Sequence, residues 1–170
     1  MNCERQDTSI RALRGIGLAA ILQGSGSRLE RMHTKMAAQA YRQTGHRDVL
    51  PVALGMWAEA ERLCGNPTAG VELATEAAGL LDQGAPSLLN EAPVYLALHD
   101  AYLDLGKAEE AHQAIARSMP AVLRRLHGLV GTPYARQFLT ELPHNARLLA
   151  AAEEYGLVPD AILRALDRSS

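Results

Sequence analysis

The chain has 170 residues, 48% of them hydrophobic but only 4% aromatic, and a formal net charge of −2. This length suits one domain with a real core, and the charge gives no general attraction to nucleic acid or anionic lipid. The N-terminus has no signal-peptide core, the longest apolar stretch (Ile16 to Leu22) cannot span a bilayer, and Cys3 and Cys64 make neither a metal spacing nor a disulfide framework, so a cytoplasmic protein is expected.

Ala and Leu dominate the apolar residues, strand-length β-branched runs are missing, and apolar positions recur at spacings of three and four. An all-α chain follows. Gly24, Gly65 and Gly106 stand 41 residues apart, and each closes a helix-periodic run. A glycine just past a helix takes the left-handed conformation that a C-cap needs, and a fixed period of this size predicts stacked helical hairpins.

Hairpin 1 is expected over 7–45. Asp7 caps its first helix, Leu13, Ile16, Gly17 and Ala20 line that helix, and Ser27-Arg-Leu-Glu30 opens the second as a capping box that stops at Gly45. Hairpin 2 covers 48–84. Asp48 is its N-cap candidate, Leu54, Trp57, Ala58 and Glu61 repeat the pattern, and Asn66-Pro67 opens a second helix ended by Gly84. Hairpin 3 covers 90–119, with Asn90 as cap, Pro93 in the first turn, and Tyr95, Leu98, His99 and Tyr102 in the equivalent positions. In the second helices the 41-residue step aligns Leu29 with Gly70 and Ala111, Met32 with Leu73 and Ala114, and Met36 with Ala77 and Ser118. Pro120 is expected to stop or kink the sixth helix. Residues 120–170 then form shorter capping helices, one beginning at Pro143 and ending at Gly156.

The stretch Tyr95-Leu-Ala-Leu98-His-Asp-Ala-Tyr102-Leu-Asp-Leu105-Gly106-Lys-Ala-Glu-Glu-Ala111 resembles a tetratricopeptide repeat, with His99 at a position that usually holds a small residue and should loosen the packing there. The long period is similar to the MalT-like variety found in bacterial signalling ATPases, cyclase- or kinase-linked sensors and LuxR-type regulators. The tail, Arg136-Gln-Phe138-Leu139 followed by Pro143-His-Asn145, resembles the segment that closes many such proteins. The resemblance implies an α-α superhelix of three hairpins with a C-terminal helical cap, and a non-catalytic protein-interaction or sensor role in signalling or transcription regulation.

Sharper chemistry finds little footing. Glu30-Arg-Met-His33 and Glu109-Glu-Ala-His112 have the Glu-x-x-His spacing of carboxylate-bridged metal bundles. The repeat alignment nevertheless turns Glu109 and His112 to solvent and His33 toward the interface, so the two motifs are out of phase. No nucleophile elbow or phosphate loop is present, so no catalytic residue, cofactor or metal ligand is assigned. Arg117, Arg124, Arg125, Arg136 and Arg147 alternate with acids and read as a salt-bridged exterior, not a nucleic-acid stripe.

Protein recognition remains, with a peptide or partner helix on the concave face that first helices line in such folds. By register, that face carries Arg11, Arg14, Leu18 and Ile21 from unit one, Glu59 and Arg62 from unit two, and Leu96, Asp100 and Leu103 from unit three. Two alternatives stay open: a self-assembling helical scaffold and a metal-carboxylate bundle enzyme. Ile10, Leu13, Ile16, Leu18, Ile21 and Leu22 circle the first helix, which favours a homodimer through hairpin 1. At the other end, Phe138, Leu142, Leu148 and Leu149 are expected to pack on the helix carrying Val122 and Leu126.

Overall fold

The structure, a computed structural model, describes residues 28–84, 90–129, 132 and 134–167. The expected first helix, with Asp7, Arg11, Arg14, Leu18, Ile21 and Gly24, lies outside the described residues, as does Ser27. Among those described the chain is all-helical: α1 (Arg28–Thr44), α2 (Leu50–Leu63), α3 (Pro67–Asp82), α4 (Ala92–Asp104), α5 (Ala108–His127), α6 (Tyr134–Thr140), α7 (Pro143–Glu154) and α8 (Asp160–Asp167). No described helix is long and apolar enough to cross a membrane.

The helix ends follow the glycines. Gly45, Gly65, Gly84, Gly106 and Gly156 all have positive φ, between 67° and 83°. After four of them the next amide reaches back to a carbonyl five residues earlier: His46 to Tyr41, Asn66 to Glu61, Lys107 to Tyr102 and Leu157 to Ala152. This 6→1 bond satisfies a helix-end carbonyl that would otherwise lack a partner. The N-termini depart from expectation. Val49, not Asp48, holds the N-cap position of α2, and Pro51 sits in its first turn. Asn66 is at the N-cap of α3, but its side chain does not cap; Nδ2 lies 3.4 Å from Glu61 Oε2.

Burial repeats along the chain. α1 buries Glu30, Thr34, Ala37, Ala38 and Tyr41, and α3 buries Gly70, Ala74, Ala77, Ala78 and Leu81, a uniform step of 40. From α3 to α5 the step is 41, to Ala111, Ile115, Ser118, Met119 and Val122. The expected alignment of Leu29, Met32 and Met36 with the buried stripe is therefore wrong by one residue, and all three are exposed. The cause lies in the connections: Tyr41 to Pro51 is one residue shorter than the equivalent Leu81 to Ala92.

α2 packs on α1, α3 and α4, and α4 packs in turn on α3, α5 and α7. Two small residues set these crossings. A Cβ at Gly70 would lie 3.1 Å from the Ala58 carbonyl, and one at Gly55 would lie 2.9 Å from Val94 Cα. Helices approach this closely only where a side chain is missing.

Pro120 does not stop α5, which runs on to His127. The proline is exposed while Met119, Ala121 and Val122 are buried. The one amide it lacks thus belongs to the wet side, and the buried residues on both sides keep the helix continuous across it. Residues 120–127, expected in the cap, belong instead to α5.

Toward the C-terminal end α7 packs on α4 and α5, and α8 packs on α5 and α6. Leu148 and Leu149 are buried and Phe138 is partly buried against the same cluster as Val122 and Leu126. Leu142 is instead exposed. It holds the extended N-cap position of α7, which turns its side chain outward, and Leu139 and Ile162 fill the interior.

Candidate functional site

A cleft of about 130 Å³ opens where α2, α4 and the first turn of α7 meet, lined by Gly55, Met56, Glu59, Pro93, Leu96, Ala97, Asp100, Pro143, His144 and Arg147. Its depth has a local cause. Gly55 lets α2 approach the backbone of α4 at Val94, while Glu59 and Asp100, farther along their helices, stand at the rim. Pro93 and Pro143 sit in the first turns of α4 and α7, where a missing N–H costs no hydrogen bond. The floor is apolar and the rim is charged.

The rim charges are already matched. Arg62 grips both carboxylate oxygens of Glu59, at 2.8 and 2.9 Å, and reaches Asp104 at 3.0 Å. Arg147 donates to Asp100 Oδ2 at 2.7 Å, and His99 Nδ1 meets the other oxygen at 2.7 Å. Burial alone would raise the Asp100 pKa; the hydrogen bond with His99 and the charge of Arg147 outweigh it and hold the carboxyl below its ordinary value. His144 moves the other way for a base: burial, then the charge of Arg147, hold its imidazole below the ordinary value despite Glu59. At neutral pH that ring is uncharged, and no described residue hydrogen-bonds either of its nitrogens.

The structure brings Glu59, Leu96 and Asp100 into one cleft, with Arg62 bound to Glu59 at its edge. Leu103 lies outside the cleft lining and is exposed. Arg11, Arg14, Leu18 and Ile21 fall outside the described residues. Sequence reasoning missed the α7 wall, His144 and Arg147, because nothing local in Pro143-His-Asn-Ala-Arg147 says which earlier helix it will meet.

Behind the rim, His99 does not loosen the packing. It is buried, and Nε2 meets the Tyr155 hydroxyl at 3.1 Å. A large residue fits there because the turn after α7 supplies a polar partner. His112, expected in solvent, is half-buried with its ring 5.1 Å from that of Tyr155, edge to face. In the other Glu-x-x-His motif Glu30 is buried and His33 half-buried, and in this one Glu109 is exposed. Among the described residues no three His, Cys, Asp or Glu side chains converge as a metal set.

No family model matches the chain, and no curated protein or solved structure shows significant similarity to it.

Proposed function

We propose that the chain is a tetratricopeptide-like α-α superhelix, right-handed and closed by its C-terminal helices. In this reading it is a non-catalytic module that binds a peptide or partner helix in a bacterial signalling or transcription-regulating protein. The observation that carries the binding role is the cleft. Residues from two successive first helices, Glu59, Leu96 and Asp100, share it with α7. The repeating burial of α1, α3 and α5 supports the superhelix, since stacked hairpins bury equivalent positions in each unit. At about 130 Å³ the cleft is well below the roughly 300–1,000 Å³ of small-molecule sites and suits a side chain presented by a partner.

Site-specific photo-crosslinking in the native host tests this reading. A benzoylphenylalanine at position 103, exposed in register with Leu96 and Asp100, should yield a discrete adduct. One at position 72, exposed on α3, should not. Equal labelling from both positions, or none from 103, rejects it.

A second reading, self-association, is favoured by the exposed stripe Leu29, Met32 and Met36 on α1. Light scattering decides: a dimer that Met32→Glu dissociates supports it, and a monomer at micromolar concentration removes it.

A further inference from the structure

The cleft defines the chemistry of what fits it. Both rim acids already have arginine partners, Glu59 with Arg62 and Asp100 with Arg147. A cationic ligand would have to displace an arginine, and an anionic one would face two carboxylates whose charge is already spent. Either exchange breaks an existing pair for a similar one and gains little. The buried lining, Met56, Leu96 and Ala97 with half-buried Pro93, offers only apolar surface, and the exposed Pro143 borders it. Its volume of about 130 Å³ is close to that of engineered cavities of about 150 Å³ that accept a benzene ring. One polar group in the cleft still lacks a described partner: the half-buried imidazole of His144, with a donor and an acceptor nitrogen.

We infer that the cleft takes one uncharged apolar side chain, of leucine or phenylalanine size, from a peptide whose backbone amide hydrogen-bonds His144. This rests on the reading of that face as a partner-binding surface and adds the anchor it selects. The balanced rim then acts as a filter. A lysine or aspartate at the anchor position would leave its own charge, or a displaced rim charge, without a partner.

The test is an amide-resolved NMR titration of the whole chain with blocked amino acids. N-acetyl-L-leucinamide and N-acetyl-L-phenylalaninamide should give saturable shifts at Met56, Leu96, Ala97 and His144, with dissociation constants of about 1–10 mM, as expected of so small a ligand. N-acetyl-L-lysinamide and N-acetyl-L-aspartamide that retain their side-chain charge should bind at least about tenfold more weakly. His144→Trp, which places an indole at the partly open mouth, should abolish the shifts, and His144→Ala should weaken binding severalfold while leaving the floor accessible. Absence of saturable shifts, equal binding of the charged amides, or shifts centred elsewhere overturns the inference. Cross-linking from position 103 is independent of this outcome. Adducts without amide binding would leave the module reading standing and remove the anchor; amide binding without adducts would do the reverse.

Discussion

Asn90 donates its side-chain amide to Asn145 Oδ1 at 2.6 Å, across 55 residues of sequence. Asn90 Oδ1 accepts from the Ala92 amide at the start of α4, and Asn145 Nδ2 donates to the Phe138 carbonyl at 2.7 Å. One buried asparagine on α7 thus ties the first turn of α4 to α6. It also positions α7, whose His144 and Arg147 form one wall of the cleft.

Replacing Asn145 by alanine leaves the half-buried Asn90 amide and the Phe138 carbonyl without this partner. The expected loss is about 2–4 kcal/mol, from two part-buried groups at about 1–2 kcal/mol each, the lower part of the range for an unmet hydrogen bond, read from urea unfolding. Asn145→Asp keeps the acceptor for Asn90, loses the donor to Phe138 and buries a charge. It should be the worse variant at pH 7 and recover partly in acid, where the carboxyl is neutral. A loss below about 0.5 kcal/mol for Asn145→Ala would mean that this link does not hold α7.

Two helical glycines should respond in opposite senses to alanine. At Gly55 the added methyl lies 2.9 Å from Val94 Cα, so α2 and α4 must part, at a cost of about 1–3 kcal/mol. At Gly79 nothing lies within 4 Å, and Gly79→Ala should stabilise α3 by about 0.5–1 kcal/mol. Thermal melts of the two variants check both signs.

Gly106 tests the caps. Its φ is 71° and a Cβ there meets nothing within 4 Å, so any cost is conformational, not steric crowding by neighbours. Gly106→Ala should lose about 1 kcal/mol, Gly106→Val more and Gly106→Asn less, following each residue's tolerance of positive φ. Equal losses across the three would show that backbone conformation is not what the position selects.

His144 makes a pH prediction. Its folded pKa is held below the ordinary 6.5 by burial and by Arg147, with Glu59 opposing. As pH falls through 6.5 the unfolded chain takes up a proton that the folded chain resists, so stability drops until the folded pKa is passed. His144→Gln lacks this increment. Between pH 7.5 and 5 its urea midpoint should fall less than that of the unsubstituted chain. Parallel pH curves would show that the ring titrates normally.

Removing residues 143–170 should uncover Val122 and Leu126 on α5, along with the side of α4 that α7 covers. Lower solubility and a lower melting temperature are expected. A truncated chain with unchanged melting temperature and solubility would show that α7 and α8 do not close this end.

Local conditions were legible in the amino-acid order. Gly45, Gly65, Gly84, Gly106 and Gly156 mark helix ends because a left-handed C-cap depends on a few neighbouring residues. The helical stripes were legible for the same reason. Glu59, Leu96 and Asp100 could be placed on a common face because the 41-residue step holds between α2 and α4. Tertiary structure decided the rest. The step from α1 to α3 is 40, because a connection shorter by one residue rotates the equivalent positions by about 100°, and it leaves Leu29, Met32 and Met36 exposed. Pro120 stays within α5 because packing on both sides of it outweighs one lost hydrogen bond. The α7 wall of the cleft depends on Asn145 meeting Asn90 and Arg147 meeting Asp100, pairings 55 and 47 residues apart. No periodicity encodes such pairings; they exist only once the helices between them have packed.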